Sequence, residues 1–458
     1  MQQARRRFAY VSSNFPESFR IFRAPIGYAV SRKSATAIVC LWLALAMAGC
    51  GFRTLRRDLE QTASIAGIEG RVSARGVGED PLAVVVYAAP AGPVIDLYLL
   101  PRAGSYYFAL PAGSYVLAAF VDRNRDLSYQ PDSEPAALYD GGRPLVLAEG
   151  ERKPGFDLTI DQGSSSRIPI AISGLTPGRR EIEMLPDFQL GTVTGIDDAR
   201  FSHDNGKLGL WNPLAFLFDV GAGVYFLEEY DPQKIPVLFV HGAIGSPADF
   251  EFLLGRLDRS RFQPWLVYYP SAPRLGRLGS AIARAVAALQ VRYRFEQMAI
   301  IGYSMGGLVS RAAINSMMSA DSQRFVELPA FLTISTPWGG HPAAAAGVEQ
   351  SPVVAPAWED LAPGSDFLAN LSRTRLPAEC EYTLLFSYGG TSSFGSRAND
   401  GAVPVASELA LSIQRQAVRV RGFDETHTGI LRSPEVAAEV NGALHRAFRK
   451  AQPEMAPS

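Results

Sequence analysis

The sequence predicts an α/β protein in which a doubly wound, mostly parallel sheet follows a small all-β sandwich domain. Short runs of β-forming residues separated by turns fill residues 67–172, and longer apolar runs alternate with helix-like stretches across residues 236–450. With 458 residues, the chain can form two domains with separate cores. Its net charge of −1, with acids and bases interspersed and no basic stripe, argues against nucleic-acid binding.

Residues 1–49 have the pattern of a bacterial lipoprotein signal peptide. Arg32 and Lys33 precede an apolar run of about fourteen residues, which is short for a membrane span and suits a signal-peptide core. The run ends in Met-Ala-Gly-Cys, which resembles a lipobox and implies cleavage before Cys50 and lipidation of that residue. An uncleaved N-terminal anchor is the alternative. Glycine, and not aspartate, follows the cysteine at position 51, which resembles the pattern of lipoproteins sorted to the outer membrane. We therefore expect a lipid-anchored protein at the outer membrane that faces the periplasm.

Residues 50–66 contain the lipidated cysteine and a polar segment that we expect to serve as a tether. Residues 67–172 predict a β-sandwich because their β-forming runs are short and alternate with turn residues. The runs are 82–87, 94–99, 105–110, 114–121, 144–147 and 156–160. This part resembles transthyretin-like and carboxypeptidase-regulatory-like modules, which implies binding or spacing and no chemistry. With Cys50 lipidated and the signal peptide removed, Cys380 is the remaining cysteine of the sequence, so no disulfide within the chain is expected.

One loop of the predicted sandwich is a candidate calcium site. Asp122, Asn124 and Asp126 carry side-chain oxygens at alternate positions, as calcium-binding loops do. Leu127, however, occupies the position where an EF-hand has glycine. The alternative is a hairpin loop stabilised by Asx-turns, in which these side chains accept hydrogen bonds from nearby backbone N–H groups.

Residues 173–235 are predicted to link the two domains and to pack against the second. They include the aromatic and aliphatic runs 211–218 and 223–227, which are too apolar to be left in water. The segment would serve either as a buttress or as one wall of a binding pocket.

A nucleophile elbow is predicted at Ser304. The motif Gly-Tyr-Ser-Met-Gly follows the apolar run 298–301 and precedes a helix-like stretch that begins at Leu308. In such an elbow the chain turns sharply between a strand and a helix, and the small residues Gly302 and Gly306 let the turn pass close to neighbouring elements. The turn would lift the serine hydroxyl clear of the sheet, where it could act as a nucleophile.

A candidate acid and a candidate base follow this serine in chain order. Asp400 comes after the predicted strand 382–386 and a Gly/Ser-rich loop, although its Asn-Asp-Gly context is also that of an ordinary turn. His427 follows the last predicted strand, so its loop can reach the serine, and His341 is the rival histidine. Asp424 is the alternative acid.

An oxyanion formed at the serine would need two preorganised N–H donors. We expect one to be the backbone N–H of Met305, at the start of the helix, where the helix dipole favours negative charge. The other would be the backbone N–H of Ala243, just after a His-Gly turn. His241, the histidine of that turn, is expected to be structural.

These motifs resemble those of α/β-hydrolase lipases and esterases, among them bacterial triacylglycerol lipases and GPI-inositol-deacylase-like hydrolases. The matching segments are 241–242, 302–307, 335–340, 399–404 and His427. The resemblance covers about residues 236–448 and implies a Ser304–His427–Asp400 triad, the oxyanion hole described above, and hydrolysis of lipid-like or small carboxylic esters without a cofactor. The same triad would serve a phospholipase, thioesterase, amidase or acyltransferase. A non-catalytic envelope lipoprotein that binds a partner is the last alternative, and the intact triad argues against it.

An insert at residues 341–377 is expected to form either a lid over an acyl pocket or a plain pair of connecting helices. Trp338, just before the insert, and Trp358, within it, are candidate substrate-pocket residues. Residues 451–458 are expected to form a flexible tail.

Overall fold

The computed structural model describes residues 51–164, 166–173, 188–318, 326–391 and 398–450. The predictions for the signal peptide, for Cys50 and for the tail 451–458 concern residues outside these ranges. Within them, no helix combines the length and the apolar character that crossing a membrane requires.

Two β-sheets form the N-terminal domain, which confirms the predicted all-β sandwich. The first contains β1 (Ala66–Arg75), β4 (Gly104–Leu110), β8 (Arg152–Lys153) and β9 (Leu158–Asp161), in the order β4–β1–β8 with β9 also paired to β1. The second contains β2 (Leu82–Ala88), β3 (Val94–Leu100), β5 (Gly113–Val121), β6 (Ala136–Leu138) and β7 (Leu145–Leu147), in the order β3–β2–β5–β6 with β7 also paired to β5. Phe108 and Ile160 of the first sheet share one core with Val84 and Leu117 of the second. Strands β1, β6 and β8 are absent from the predicted runs, because β1 is interrupted by glycines and charges and the other two are very short.

The second sheet of the sandwich packs against the C-terminal domain. Nearly all of β2 and β5 is buried, because one face of this sheet lies in the sandwich core and the other contacts helix α5 (Leu275–Tyr293). Ala288 and Val291 of α5 share a core with Val85 and Phe120 of these strands. Antiparallel strands often have one face in water and then alternate apolar and polar residues. Although β2 and β5 pair antiparallel, both faces are buried, which explains why their sequences are continuously apolar.

An eight-stranded sheet forms the C-terminal domain and confirms the predicted doubly wound class. Its strands are β10 (Gln189–Val193), β11 (Gly223–Phe226), β12 (Ile235–Val240), β13 (Phe262–Tyr268), β14 (Gln297–Tyr303), β15 (Glu327–Ile334), β16 (Glu381–Ser387) and β17 (Arg419–Phe423). Their order is β10–β11–β13–β12–β14–β15–β16–β17. Strands β12 to β17 are parallel, and β11 runs antiparallel to β13 with β10 parallel to β11. Because parallel strands end at the same edge, the loops after β12, β14, β16 and β17 converge there.

Helices cover both faces of this sheet. Besides α5, the described helices are α1 (51–64), α2 (His203–Trp211), α3 (Pro213–Ala215), α4 (Glu251–Leu254), α6 (Met305–Met317), α7 (Pro342–Gln350), α8 (Pro356–Leu361), α9 (Asp366–Leu371), α10 (Val405–Glu408), α11 (Leu411–Gln414) and α12 (Pro434–Lys450). Short 3₁₀ turns occupy Tyr139–Gly142, Ala199–Phe201, Pro247–Phe250 and Gly429–Arg432, and a π-turn occupies Phe216–Val220. On one face Val286 of α5 and Leu308 of α6 share a core with Ile300, and on the other Leu444 of α12 shares a core with Ile301. Successive side chains of β14 thus point to opposite faces and meet different helices.

The predicted linking segment is part of the sheet. Its described residues supply β10 and β11, which extend the sheet beyond β13. Neither strand has a sequence pattern strong enough to predict it, because β11 is only four residues long and β10 contains Gly191 at a φ of +79°.

The expected tether, in contrast, is a docked helix. Helix α1 buries Leu55 completely, in a small core with Leu210 and Ala272. Asp58, also fully buried, accepts the backbone N–H of Leu214 with its Oδ2 at 3.1 Å. Most of α1 is polar and only one narrow side of it meets the domain, so the sequence pattern of this segment does not reveal the docking.

Candidate active site

Ser304 lies in the turn between β14 and α6, where the sequence predicts an elbow. Its backbone has a φ of 51° and a ψ of −128°, a conformation that L-amino acids rarely adopt. A Cβ atom at Gly302 would lie 2.5 Å from the Cα of Gly307, and one at Gly306 would lie 2.1 Å from the carbonyl oxygen of Val240. Both positions therefore require glycine, and this close packing holds the serine in its strained turn.

A chain of hydrogen bonds joins Ser304, His427 and Asp400. His427 Nε2 lies 2.9 Å from Ser304 Oγ, and His427 Nδ1 lies 2.5 Å from Asp400 Oδ2. The backbone N–H of His427 also donates to the carbonyl oxygen of Asp400, at 2.8 Å. The two alternatives have other contacts: Asp424 is exposed, and Nδ1 of His341, a histidine close enough to interact electrostatically with Asp400, accepts the backbone N–H of Ala343 at the start of α7.

The carboxylate of Asp400 is fully buried and accepts four hydrogen bonds. Oδ1 accepts the backbone N–H groups of Ala402 at 2.9 Å and Val403 at 2.7 Å. Oδ2 accepts from His427 Nδ1 and, at 2.8 Å, from the hydroxyl of Ser387. Burial raises the pKa of Asp400, but the hydrogen bond and charge of His427 and the two backbone donors outweigh burial and lower the pKa to about 2. Asp400 is therefore ionised at neutral pH.

Two side chains that the sequence analysis missed support this arrangement. Ser387, at the carboxyl end of β16, donates to Asp400 as described. The hydroxyl of Tyr303 donates to the carbonyl oxygen of His427 at 3.0 Å, and the two rings lie 5.1 Å apart. A polar side chain at the carboxyl end of a buried parallel strand is the signal that could have identified Ser387.

The two predicted oxyanion donors border the same space as Ser304. Met305 is the first residue of α6, so its N–H has no partner within the helix. Ala243 lines the cavity beside Ser304, after a turn in which a Cβ atom at Gly242 would lie 2.9 Å from the serine Cβ. His241, before this turn, is fully buried; burial lowers its pKa to about 4, so the ring is neutral and structural.

A cavity of about 1030 Å³ opens beside Ser304 and His427. Its wall includes Phe201 and His203, so the predicted linking segment forms part of the pocket as well as part of the sheet. Other lining side chains are Ile244, Phe252, Leu431, Asp249 and Arg432. This mixture of apolar surface and a few polar groups is typical of a small-molecule site.

The two candidate pocket tryptophans are not among the described residues that line this cavity. Trp338 lies in the core on the α5 face and packs edge-on against Tyr382, with ring centroids 6.2 Å apart. Trp358 packs edge-on against Trp211 at 6.0 Å. The described residues of the insert 341–377 also line no part of the cavity.

Hydrogen bonds within the candidate calcium loop engage several of its side-chain oxygens. Asp122 Oδ2 accepts the backbone N–H of Leu127, and Asp126 Oδ1 accepts that of Ser128. The amide of Asn124 donates to Asp126 Oδ2 at 2.8 Å. These are the Asx-type contacts of the alternative interpretation. Within the part of the chain that the structure describes, no group of three or more His, Cys, Asp or Glu residues is arranged to hold a metal ion.

One family model matches part of the C-terminal domain. The model of a family described as an alpha/beta hydrolase of unknown function (DUF915) matches residues 278–446. Among solved structures, the chain is similar to a gene product of Listeria innocua, with 17% identity and a TM-score of 0.36 over 46% of this chain and 94% of that chain. It is also similar to the mature lipase BlEst2 of Bacillus licheniformis, with 17% identity and a TM-score of 0.36 over 49% and 94% of the two chains. For phospholipase PlaB of Legionella pneumophila the identity is 15% and the TM-score 0.39, over 47% and 61%.

A comparison with curated proteins finds no match. The strand order, the strained turn at Ser304 and the family match nevertheless agree with one another. Together they show that the C-terminal domain of this chain has the α/β-hydrolase fold.

Proposed function

We propose that the protein is a serine hydrolase that cleaves carboxylic esters, as a lipase or carboxylesterase. The observation that carries this proposal is the chain of hydrogen bonds from Ser304 Oγ through His427 to Asp400, with distances of 2.9 and 2.5 Å. A nucleophile bonded to a base, which is oriented in turn by a buried carboxylate, is the arrangement that acyl-transfer enzymes use on several unrelated folds.

The mechanism follows from these contacts. Asp400 holds His427 in the tautomer with a proton on Nδ1, so Nε2 can accept the hydroxyl proton of Ser304. Ser304 Oγ attacks the ester carbonyl, and the N–H groups of Ala243 and Met305 bind the oxyanion. His427 then passes its proton to the leaving alcohol, and water releases the acyl group by the same steps in reverse order. This sequence requires no cofactor.

The proposed substrate is a lipid-like or small ester near a membrane. The apolar part of the cavity wall, from Phe201 and Ile244 to Phe252, offers a surface for an acyl chain. Lipidation of Cys50 would anchor the enzyme to the bacterial envelope, at the outer membrane facing the periplasm. A phospholipase, thioesterase, amidase or acyltransferase would use the same three residues, so the substrate has to be found by experiment.

The test is hydrolysis of p-nitrophenyl esters of increasing acyl length by the full chain in detergent. Ser304→Ala should abolish turnover without changing the thermal unfolding midpoint. Ser316→Ala, a matched serine on the same helix outside the cavity, should leave turnover unchanged. A rising rate with chain length indicates a lipase, and a short-chain optimum indicates an esterase.

Turnover that survives in Ser304→Ala would contradict the proposal. If no ester is cleaved, labelling of Ser304 by a fluorophosphonate would favour amide, thioester or transfer chemistry. No turnover and no labelling would favour a non-catalytic role.

A further inference from the structure

Glu408 is a second buried carboxyl group beside Asp400. It ends α10, the short helix that follows the Asp400 loop, and its side chain is 1% exposed. Its Oε2 accepts the backbone N–H of Ser387 at 3.2 Å, whereas its Oε1 has no hydrogen-bond partner among the described residues. Because the hydroxyl of Ser387 donates to Asp400 Oδ2, this one serine contacts both carboxyl groups.

The charged surroundings of Glu408 differ from those of Glu439, another buried glutamate, in the part of the chain that the structure describes. In the described part of the chain, no arginine or lysine forms an ion pair with Glu408. Glu439 is almost as deeply buried but contacts arginines of β17 and α12, which lower its pKa despite burial. For Glu408, burial is the larger cause of a raised pKa and the negative charge of Asp400 is the second, and the pKa reaches about 10. Glu408 is therefore neutral at pH 7, and Glu439 is ionised.

We propose that Glu408 is a positioning residue that keeps its proton during turnover, so that Asp400 is the single negative charge behind His427. This inference rests on the proposed function of Ser304, His427 and Asp400. An ionised Glu408 would repel Asp400 and bring a second negative charge close to the imidazole. That second charge would hold a proton on His427 more tightly, and the proton would return to the leaving alcohol more slowly.

Other titratable groups lie close to Glu408 and Asp400. Tyr303 interacts electrostatically with both carboxyl groups, but burial keeps its pKa well above 10. His427 and His341 interact with Asp400. With a pKa of about 10, Glu408 loses its proton in this pH range.

Infrared difference spectroscopy of the full chain tests the protonation state directly. Glu408→Gln keeps the size of the side chain and an oxygen for the Ser387 N–H, and it carries no titratable proton. At pH 7 this variant should lose a carbonyl band of a protonated carboxylic acid. The matched control, Glu439→Gln, should keep that band and lose carboxylate bands. This measurement needs no turnover, so its failure is distinct from failure of the proposed function.

A pH titration of the wild-type protein tests the protonation state of Glu408 a second time. Its acid band should persist at neutral pH and vanish as the pH rises through about 10. A wild-type spectrum without an acid band that depends on Glu408 would overturn the inference, and so would loss of that band below pH 7.

The pH profile of ester hydrolysis tests the positioning role. At pH 7, kcat for Glu408→Gln should stay within about twofold of the wild type, because both side chains are neutral. As the pH rises through about 10, kcat of the wild type should fall and that of the variant should not. Identical profiles would overturn the inference. A folded variant that has already lost activity at pH 7 would also overturn it.

Discussion

Replacement of Asp400 by asparagine tests the proposed triad most directly, because it removes a charge and preserves shape. Asp400 is fully buried, and the Nδ1–H of His427 donates to it at 2.5 Å. An asparagine amide placed there would present N–H groups to His427 and favour the tautomer with a proton on Nε2, which cannot accept one from Ser304. We expect kcat to fall by about 10⁴-fold, or ~5.5 kcal/mol of transition-state stabilisation.

The assay is hydrolysis of the best p-nitrophenyl ester, with thermal unfolding as the check that the variant remains folded. Asp424→Asn is the matched control, because Asp424 lies three residues before His427 but is exposed. Its kcat should be unchanged. A fall of less than about tenfold in Asp400→Asn, or a larger fall in Asp424→Asn, would refute the assignment of Asp400 as the acid.

Three further changes have definite expected outcomes. Ser387→Ala removes one of four hydrogen bonds to a charged carboxylate, worth about 1.5–3 kcal/mol, so kcat should fall ~10- to 100-fold; an unchanged kcat would contradict this role. Glu408→Gln removes a group whose pKa rises from 4.5 to about 10 on folding. The contribution of this group to the free energy of unfolding is complete below pH 4.5 and is lost as the pH rises toward 10. In urea unfolding, the variant should therefore gain ~1.4 kcal/mol on the wild type for each pH unit in that interval, and parallel pH dependences would contradict the shift. Cys50→Ala should release the protein from the membrane fraction, and unchanged fractionation would argue against lipidation.

The candidate site could be predicted because each of its parts has a local sequence signal. Ser304 lies between a continuous apolar strand and a helix, with glycines on both sides that the structure shows to be sterically required. Asp400 and His427 follow later strands, and parallel strands bring the ends of such segments to one edge. The order of these residues along the chain therefore indicates that they lie close together in space.

The remaining features depend on contacts between distant segments. An aromatic side chain suits a core as well as a pocket wall, so the sequence does not show which of the two Trp338 and Trp358 contact. Strands as short as β11 have no period of their own and are defined by the neighbour with which they pair. The unpaired burial of Glu408 arises only after β16, the Asp400 loop and α10 are assembled, so no local pattern marks it.

The docking of α1 determines how the proposed lipid anchor relates to the cavity. Cys50 directly precedes α1 in the chain, and Phe52 packs edge-on against Trp211 with ring centroids 5.2 Å apart. Trp211 ends α2, and His203, at the other end of this nine-residue helix, lines the cavity. Such a helix spans roughly 12 Å from its first residue to its last. A lipid attached to Cys50 would therefore hold the cavity close to the bilayer without a flexible spacer. An enzyme held in this way would act on esters within or next to its own membrane, which is why vesicle-bound esters are a more informative substrate for the anchored chain than dissolved ones.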